Sequence, residues 1–257
     1  MSRFVNLEFG NESEDRSQDK AVTKDEAYYL ADAHTAFESG KFEQALRSYS
    51  KVLEFNPQNA PAWTGQVRML IELREFREAK LWADKALERF PHEAELLAAK
   101  AVALGRSGDL AGALAFSDAS IEERGDTPYI WLARGDVMLA RSERRADFCL
   151  EKALLLAPHD WFTPWLAARI RLYYKQFALA LKLLQQAVEL QAGNFILWLE
   201  MGRCQLALGM AVPAQRSFTQ ALQLNPESQE AAVALAGLES NSFWDCIRGG
   251  FRSVFRI

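Results

Sequence analysis

The chain of 257 residues is predicted to be all-α, a right-handed superhelical solenoid of six helical hairpins followed by a C-terminal covering helix. Ala45, Ala79, Ala113, Ala146, Ala180 and Ala214 recur at intervals of 34, 34, 33, 34 and 34 residues. A period of that size belongs to stacked supersecondary units, none of which can bury its apolar face alone. Twelve residues after each alanine stand Pro57, Pro91, Gly125, Pro158, Ala192 and Pro226, and four prolines and a glycine among six are what helix ends require. Sixteen residues before the alanine, or fifteen in the fourth unit, come Tyr29, Trp63, Leu97, Trp131, Pro164 and Trp198. Four residues further on, Ala33, Val67, Ala101, Gly135, Ala168 and Gly202 are small enough for two helices to approach closely.

The elements follow in chain order. Residues 1–25 form a polar, flexible N-terminal segment, because the mixed charges of residues 11–26 leave too little apolar surface to order them independently. Ahead of that stretch, Phe4, Val5, Leu7 and Phe9 cluster either as a docking motif or as a segment folded back on the solenoid. Six units then span 26–59, 60–93, 94–127, 128–160, 161–194 and 195–228. Each is two amphipathic helices of about a dozen residues around a turn such as Ser39-Gly40-Lys41 or Ser107-Gly108-Asp109. Local distortion is expected in units four and five, where one residue is missing from a turn and Pro164, with Trp165 beside it, stands at the aromatic position. Trp63, Trp131 and Trp198 are expected in the core, since aromatics at helical spacing fill the space between stacked helices. Residues 229–240 form a covering helix over unit six. The tail, 241–257, concentrates Phe243, Trp244, Ile247, Phe251, Val254, Phe255 and Ile257 with Arg248, Arg252 and Arg256, so it is expected to be an attachment element. Gly249-Gly250 interrupts its amphipathic pattern.

Around the second helix of unit one the sequence is GKFEQALRSYSKVLEFNP, and in unit six it is GMAVPAQRSFTQALQLNP. Over residues 26–228 the chain resembles the tetratricopeptide repeat family. That resemblance implies that the first helix of each unit lines a concave groove. One groove register gives His34, Arg68, Val102, Asp136, Arg169 and Arg203; the others contribute Tyr129, Phe162, Trp165 and Leu199. The candidate partner-binding residues are therefore Arg68, Tyr129, Asp136, Phe162, Trp165, Arg169, Leu199 and Arg203. They suit a peptide or helix with apolar anchors and an acidic group, which arginine can meet bidentately. The alternative is that they pack against the second helices or against the chain's own tail. Family members that clamp the C-terminal carboxylate of chaperones use lysines and asparagines at such sites; these are almost absent here, so that activity is not implied.

A net charge of -4 and a pI near 5.6 argue against nucleic-acid binding, which needs a basic face. Cys149, Cys204 and Cys246 are an odd, unpaired set, and no apolar run reaches the length of a membrane span, so a cytoplasmic protein is expected, peripheral to a membrane at most. No phosphate-cradling glycine loop or nucleophile elbow occurs, and His34, His92 and His159 have no ligand partners at metal spacing. The expectation is a non-enzyme without cofactor or metal, a scaffold or adaptor that helps assemble or locate a complex. The alternatives are a chaperone or regulatory subunit of an enzyme encoded elsewhere, and attachment through the tail to a second copy or to anionic lipid.

Overall fold

The computed structural model describes residues 24–238. Twelve helices pair into six antiparallel hairpins: α1 (Glu26–Glu38) with α2 (Phe42–Phe55), α3 (Ala60–Glu72) with α4 (Phe76–Arg89), and α5 (Ala94–Arg106) with α6 (Leu110–Glu123). The second half repeats the arrangement in α7 (Pro128–Ala140) with α8 (Arg145–Leu156), α9 (Phe162–Tyr173) with α10 (Phe177–Leu190), and α11 (Phe195–Ala207) with α12 (Ala211–Leu224). Residues 229–238 are helical and form α13, which inserts the fully buried Ala231 and packs Ala234, Leu235 and Leu238 against the core. No strand occurs among the described residues.

The helix ends follow local chemistry. The carboxylate of Asp25 accepts the amide of Tyr28 at 2.9 Å, and Asn59 does the same for Ala62 at 2.9 Å, satisfying first-turn donors that have no helical partner. Pro61 and Pro128 occupy first-turn positions where a missing N–H is harmless. Pro164 obeys the same rule as the third residue of α9, so it does not break that helix. The missing residue and the displaced aromatic leave their mark on length: α8 has 12 residues where α2, α4, α6, α10 and α12 have 14, and α9 has 12 where α1, α3, α5, α7 and α11 have 13.

The odd-numbered helices form the inner layer, with α3, α5, α7 and α9 in direct succession, and the even-numbered helices form the outer layer. α3, α5, α7, α9 and α11 are buried over most of their circumference, while the outer helices bury one narrow stripe in which small residues alternate with a few large ones such as Tyr49, Leu150, Leu184 and Phe218. All six repeat alanines are buried. The inner layer also curls until its two ends meet. Phe37 packs edge-on against Phe162 with ring centroids 4.9 Å apart, Phe42 stacks on Trp165 at 6.4 Å, and Ile196 lies over Gly40. Unit one therefore touches units five and six across the lumen of the superhelix.

Candidate functional site

The lumen is lined by arginines, aromatics and a few carboxylates projected from the inner helices. Arg68 of α3 lies over Tyr129 of α7 at 3.9 Å from the ring centroid and over Phe37 at 5.0 Å. Its neighbour one turn on, Glu72, accepts Nε and Nη2 of Arg169 at 2.9 and 2.6 Å. The remaining Nη1 of Arg169 bonds to Glu200 of α11, so one guanidinium ties units two, five and six together. Glu200 also accepts the indole N–H of Trp165 at 2.7 Å. A second buried pair joins Arg106 to Asp136 at 2.6 Å, and the hydroxyl of Tyr174 donates to the same carboxylate at 2.8 Å. Tyr173 lies 4.1 Å from the Arg106 guanidinium and meets Phe76 edge-on across the lumen.

The two carboxylates that share Arg169 are pushed in opposite directions. Burial works to raise Glu72, but Arg169, Arg106 and Arg68 together hold it below its ordinary value. Glu200 lies deeper and answers chiefly to one arginine, so burial lifts it above its ordinary value despite Arg169 and the Trp165 N–H. Burial likewise pushes the Cys204 thiol up, to about 11, and leaves it a poor nucleophile. Among the described residues no group of three or more His, Cys, Asp or Glu is placed to hold a metal ion.

The sequence-derived candidates fall into three places. Arg68, Tyr129 and Asp136 line one small cavity of about 30 Å³ together with Val102, Arg106 and Leu132. Phe162, Trp165 and Arg169 stand where the ends of the solenoid meet; Trp165 is fully buried and Phe162 partly so. Leu199 is buried in the core, and Arg203 is exposed and paired with Glu230 of α13. The tail candidates Phe243, Trp244, Ile247, Arg248, Phe251, Arg252, Phe255 and Arg256 lie outside the described residues, as does the cluster at Phe4, Val5, Leu7 and Phe9. The groove registers did not single out Glu72, Arg106, Tyr173, Tyr174 and Glu200. The signal for Glu72, Arg106, Tyr173 and Tyr174 was charge and phenol at the C-terminal ends of first helices, whereas Glu200 lies in the middle of α11 and had no such signal.

The expected core tryptophans share one further bond. Trp63, Trp131 and Trp198 each donate their indole N–H to the carbonyl of the helix-stop residue six positions earlier, Pro57, Gly125 and Ala192, at 2.9, 2.8 and 2.8 Å. Trp63 and Trp131 are buried and Trp198 is half-buried.

Residues 36–102 match the family model described as tetratricopeptide repeat. No curated protein matches the chain. Among solved structures it is similar to a chain of the APC/C hetero-tetramer Cut9-Hcn1, with 18% identity and a TM-score of 0.51, covering 85% of this chain and 44% of that one. This chain thus spans less than half the length of that neighbour, and the likeness is one of fold. It is also similar to YrrB, described as a TPR protein with an unusual peptide-binding site, with 16% identity and a TM-score of 0.42 over 72% of this chain and 96% of that one. No helix among the described residues is long and apolar enough to cross a membrane. Six stacked hairpins span the described residues, and the stretch 36–102 within them is similar to the tetratricopeptide repeat.

Proposed function

We propose that this protein is a non-enzymatic interaction scaffold or adaptor, which takes a partner segment with apolar anchors and an acidic group on its concave side and helps assemble or locate a complex. The observation that supports this most is the concave surface on which Arg68 lies against Tyr129, beside the half-buried Phe162 and the exposed Arg203, which is paired with Glu230. Arginine and tyrosine in a concavity present rigid amphipathic contact area and a planar fork for carboxylates, and such residues dominate interface energies. Trp165, Asp136 and Leu199 are buried, so in this reading they set the shape of the wall while the accessible side chains touch the partner.

Arg169 holds two buried carboxylates and is therefore a poor residue for a binding test, since reversing it would unbalance the ion network. Arg68 and Arg203 are the better pair. Arg68→Glu combined with Arg203→Glu should leave helicity by circular dichroism unchanged and abolish recovery of the partners that the wild-type chain captures from its native cell. Recovery of the same partners by the double variant would remove the concave surface from the interface.

A further inference from the structure

A second cavity, of about 130 Å³, opens beside the first and shares Glu72 and Arg106 with it; its other walls are Arg74, Arg169, Leu172 and Tyr173. The two cavities together are lined by four arginines, Arg68, Arg74, Arg106 and Arg169, against two carboxylates, Glu72 and Asp136. With Glu200 bonded behind Arg169, four guanidiniums face three carboxylates, an excess of one positive charge in a chain whose net charge is -4. The guanidiniums are not equally committed. Arg169 spends its Nε and both terminal nitrogens on Glu72 and Glu200. Arg106 spends Nε and Nη2 on Asp136, and its Nη1 makes no hydrogen bond among the described residues although the side chain is only 6% exposed. The side chain of Arg74 makes neither an ion pair nor a hydrogen bond among the described residues; it rests 5.6 Å from the centroid of the Tyr173 ring, which Arg106 approaches to 4.1 Å.

We propose that this cavity binds a compact anionic group, a carboxylate or a phosphate, between Arg74 and Arg106 at the Tyr173 ring. The unpaired fork of Arg74 meets two oxygens of the group, and Nη1 of Arg106 supplies a further donor from the wall. Contact with the ring restrains both guanidiniums before the anion arrives, so less side-chain freedom is lost on binding. The site's field is already visible in the protein, because Arg169, Arg106 and Arg68 keep the Glu72 carboxyl ionised against the effect of burial. Glu72 shares Arg169 with Glu200, and Arg74, which has no ion pair among the described residues, stands exposed at the mouth. The same chemistry fits an acidic group on a partner segment, in which case the site deepens and rests on the scaffold reading, or a free small anion, in which case it stands apart from it.

Isothermal titration calorimetry of the full chain against inorganic phosphate, succinate and a capped peptide of alternating leucine and aspartate tests the site. At least one probe should bind, more weakly as salt is raised, and Arg74→Gln should lower that affinity about tenfold, the worth of one charge-assisted contact. Arg74 is exposed and unpaired, so the variant should keep the wild-type melting temperature; Tyr173→Leu, which removes the restraint on both arginines, is the second variant and should also weaken binding. Tighter binding of the peptide than of the free anions supports a partner as the source, and the reverse supports a small molecule. If none of the three probes binds, or if both variants bind as the wild type does, the site is overturned. Anion binding that persists while the Arg68→Glu, Arg203→Glu variant still captures its partners would retain this site and discard the scaffold interface, and the opposite pattern would do the reverse.

Discussion

Ala79 and Ala180 have no accessible surface and lie on the buried stripes of α4 and α10, where the repeat register expects each outer helix to cross its inner partner. Replacing either with leucine should destabilise the protein by roughly 1–3 kcal/mol through overpacking, read as a lower urea midpoint with an unchanged slope. Midpoints equal to wild type would mean that the repeat alanine does not mark the crossing. These positions were legible in the sequence because the interior offers no alternative to a small side chain there. Gly202, from the small-residue register, shows the same constraint more sharply, since an added Cβ would lie 2.6 Å from the Phe218 ring. The turns between paired helices were less legible. Gly40, Gly108 and Gly209 take the left-handed conformation that ends a helix cheaply, but the equivalent turns of units two, four and five hold Arg74, Ser142 and Lys175 at φ of 65, 59 and 58°. A Cβ is strained in that region, so Ser142→Gly and Lys175→Gly should each stabilise the chain by up to about 1 kcal/mol, with Tm as the readout.

The recurring element is a hairpin fastened to the next by an aromatic side chain. In units two, four and six the tryptophan bonds to the carbonyl of the preceding helix stop, so Trp131→Phe should cost about 1 kcal/mol by leaving that carbonyl without its donor. A variant as stable as wild type in urea would make the bond incidental to packing. Unit five shows why its site residue could be placed in sequence but its bonding could not be foreseen. Pro164 occupies the fastening position, and the tryptophan, displaced by one residue, is rotated about 100° around α9. Trp165 therefore turns into the lumen and donates to Glu200 instead. Between α3 and α9 the link is ionic. Glu72 has a folded value below its unfolded one, so its ionisation stabilises the protein above the unfolded carboxylate range and that contribution is lost as pH falls through the folded value. Glu72→Gln should accordingly be less stable than wild type at neutral pH, and the difference should shrink on acidification below the ordinary carboxylate range. A gap that is constant with pH would assign the loss to packing.

The period predicts stacking but says nothing of pitch, because pitch accumulates from a small rotation at every hairpin interface and no single residue encodes it. Six units could thus be read from alanines and helix stops, and the covering helix from the apolar stretch after them, whereas the meeting of the two ends could not. That meeting rests on contacts far apart in sequence: Arg169 with Glu72, 97 residues away, and the Asn194 side-chain amide with the carbonyl of Glu38, 156 residues away at 3.2 Å. Gly40 permits it, since an added Cβ would meet Ile196 at 2.8 Å in a turn whose φ is 70°. Gly40→Ala should therefore open the superhelix, seen as a larger radius of gyration in small-angle X-ray scattering at unchanged helicity; an unaltered radius would show that the ends are held elsewhere. The same closure shapes how the chain reaches its native state. Hairpin contacts are local and form early, but joining the ends requires loops on the order of 100 residues to close, which is slow and entropically late. The closure contacts then form after the rate-limiting barrier. In stopped-flow measurements Gly40→Ala should leave the refolding rate nearly unchanged and speed unfolding, so the junction of first and last units governs how long the folded protein persists more than how quickly it forms.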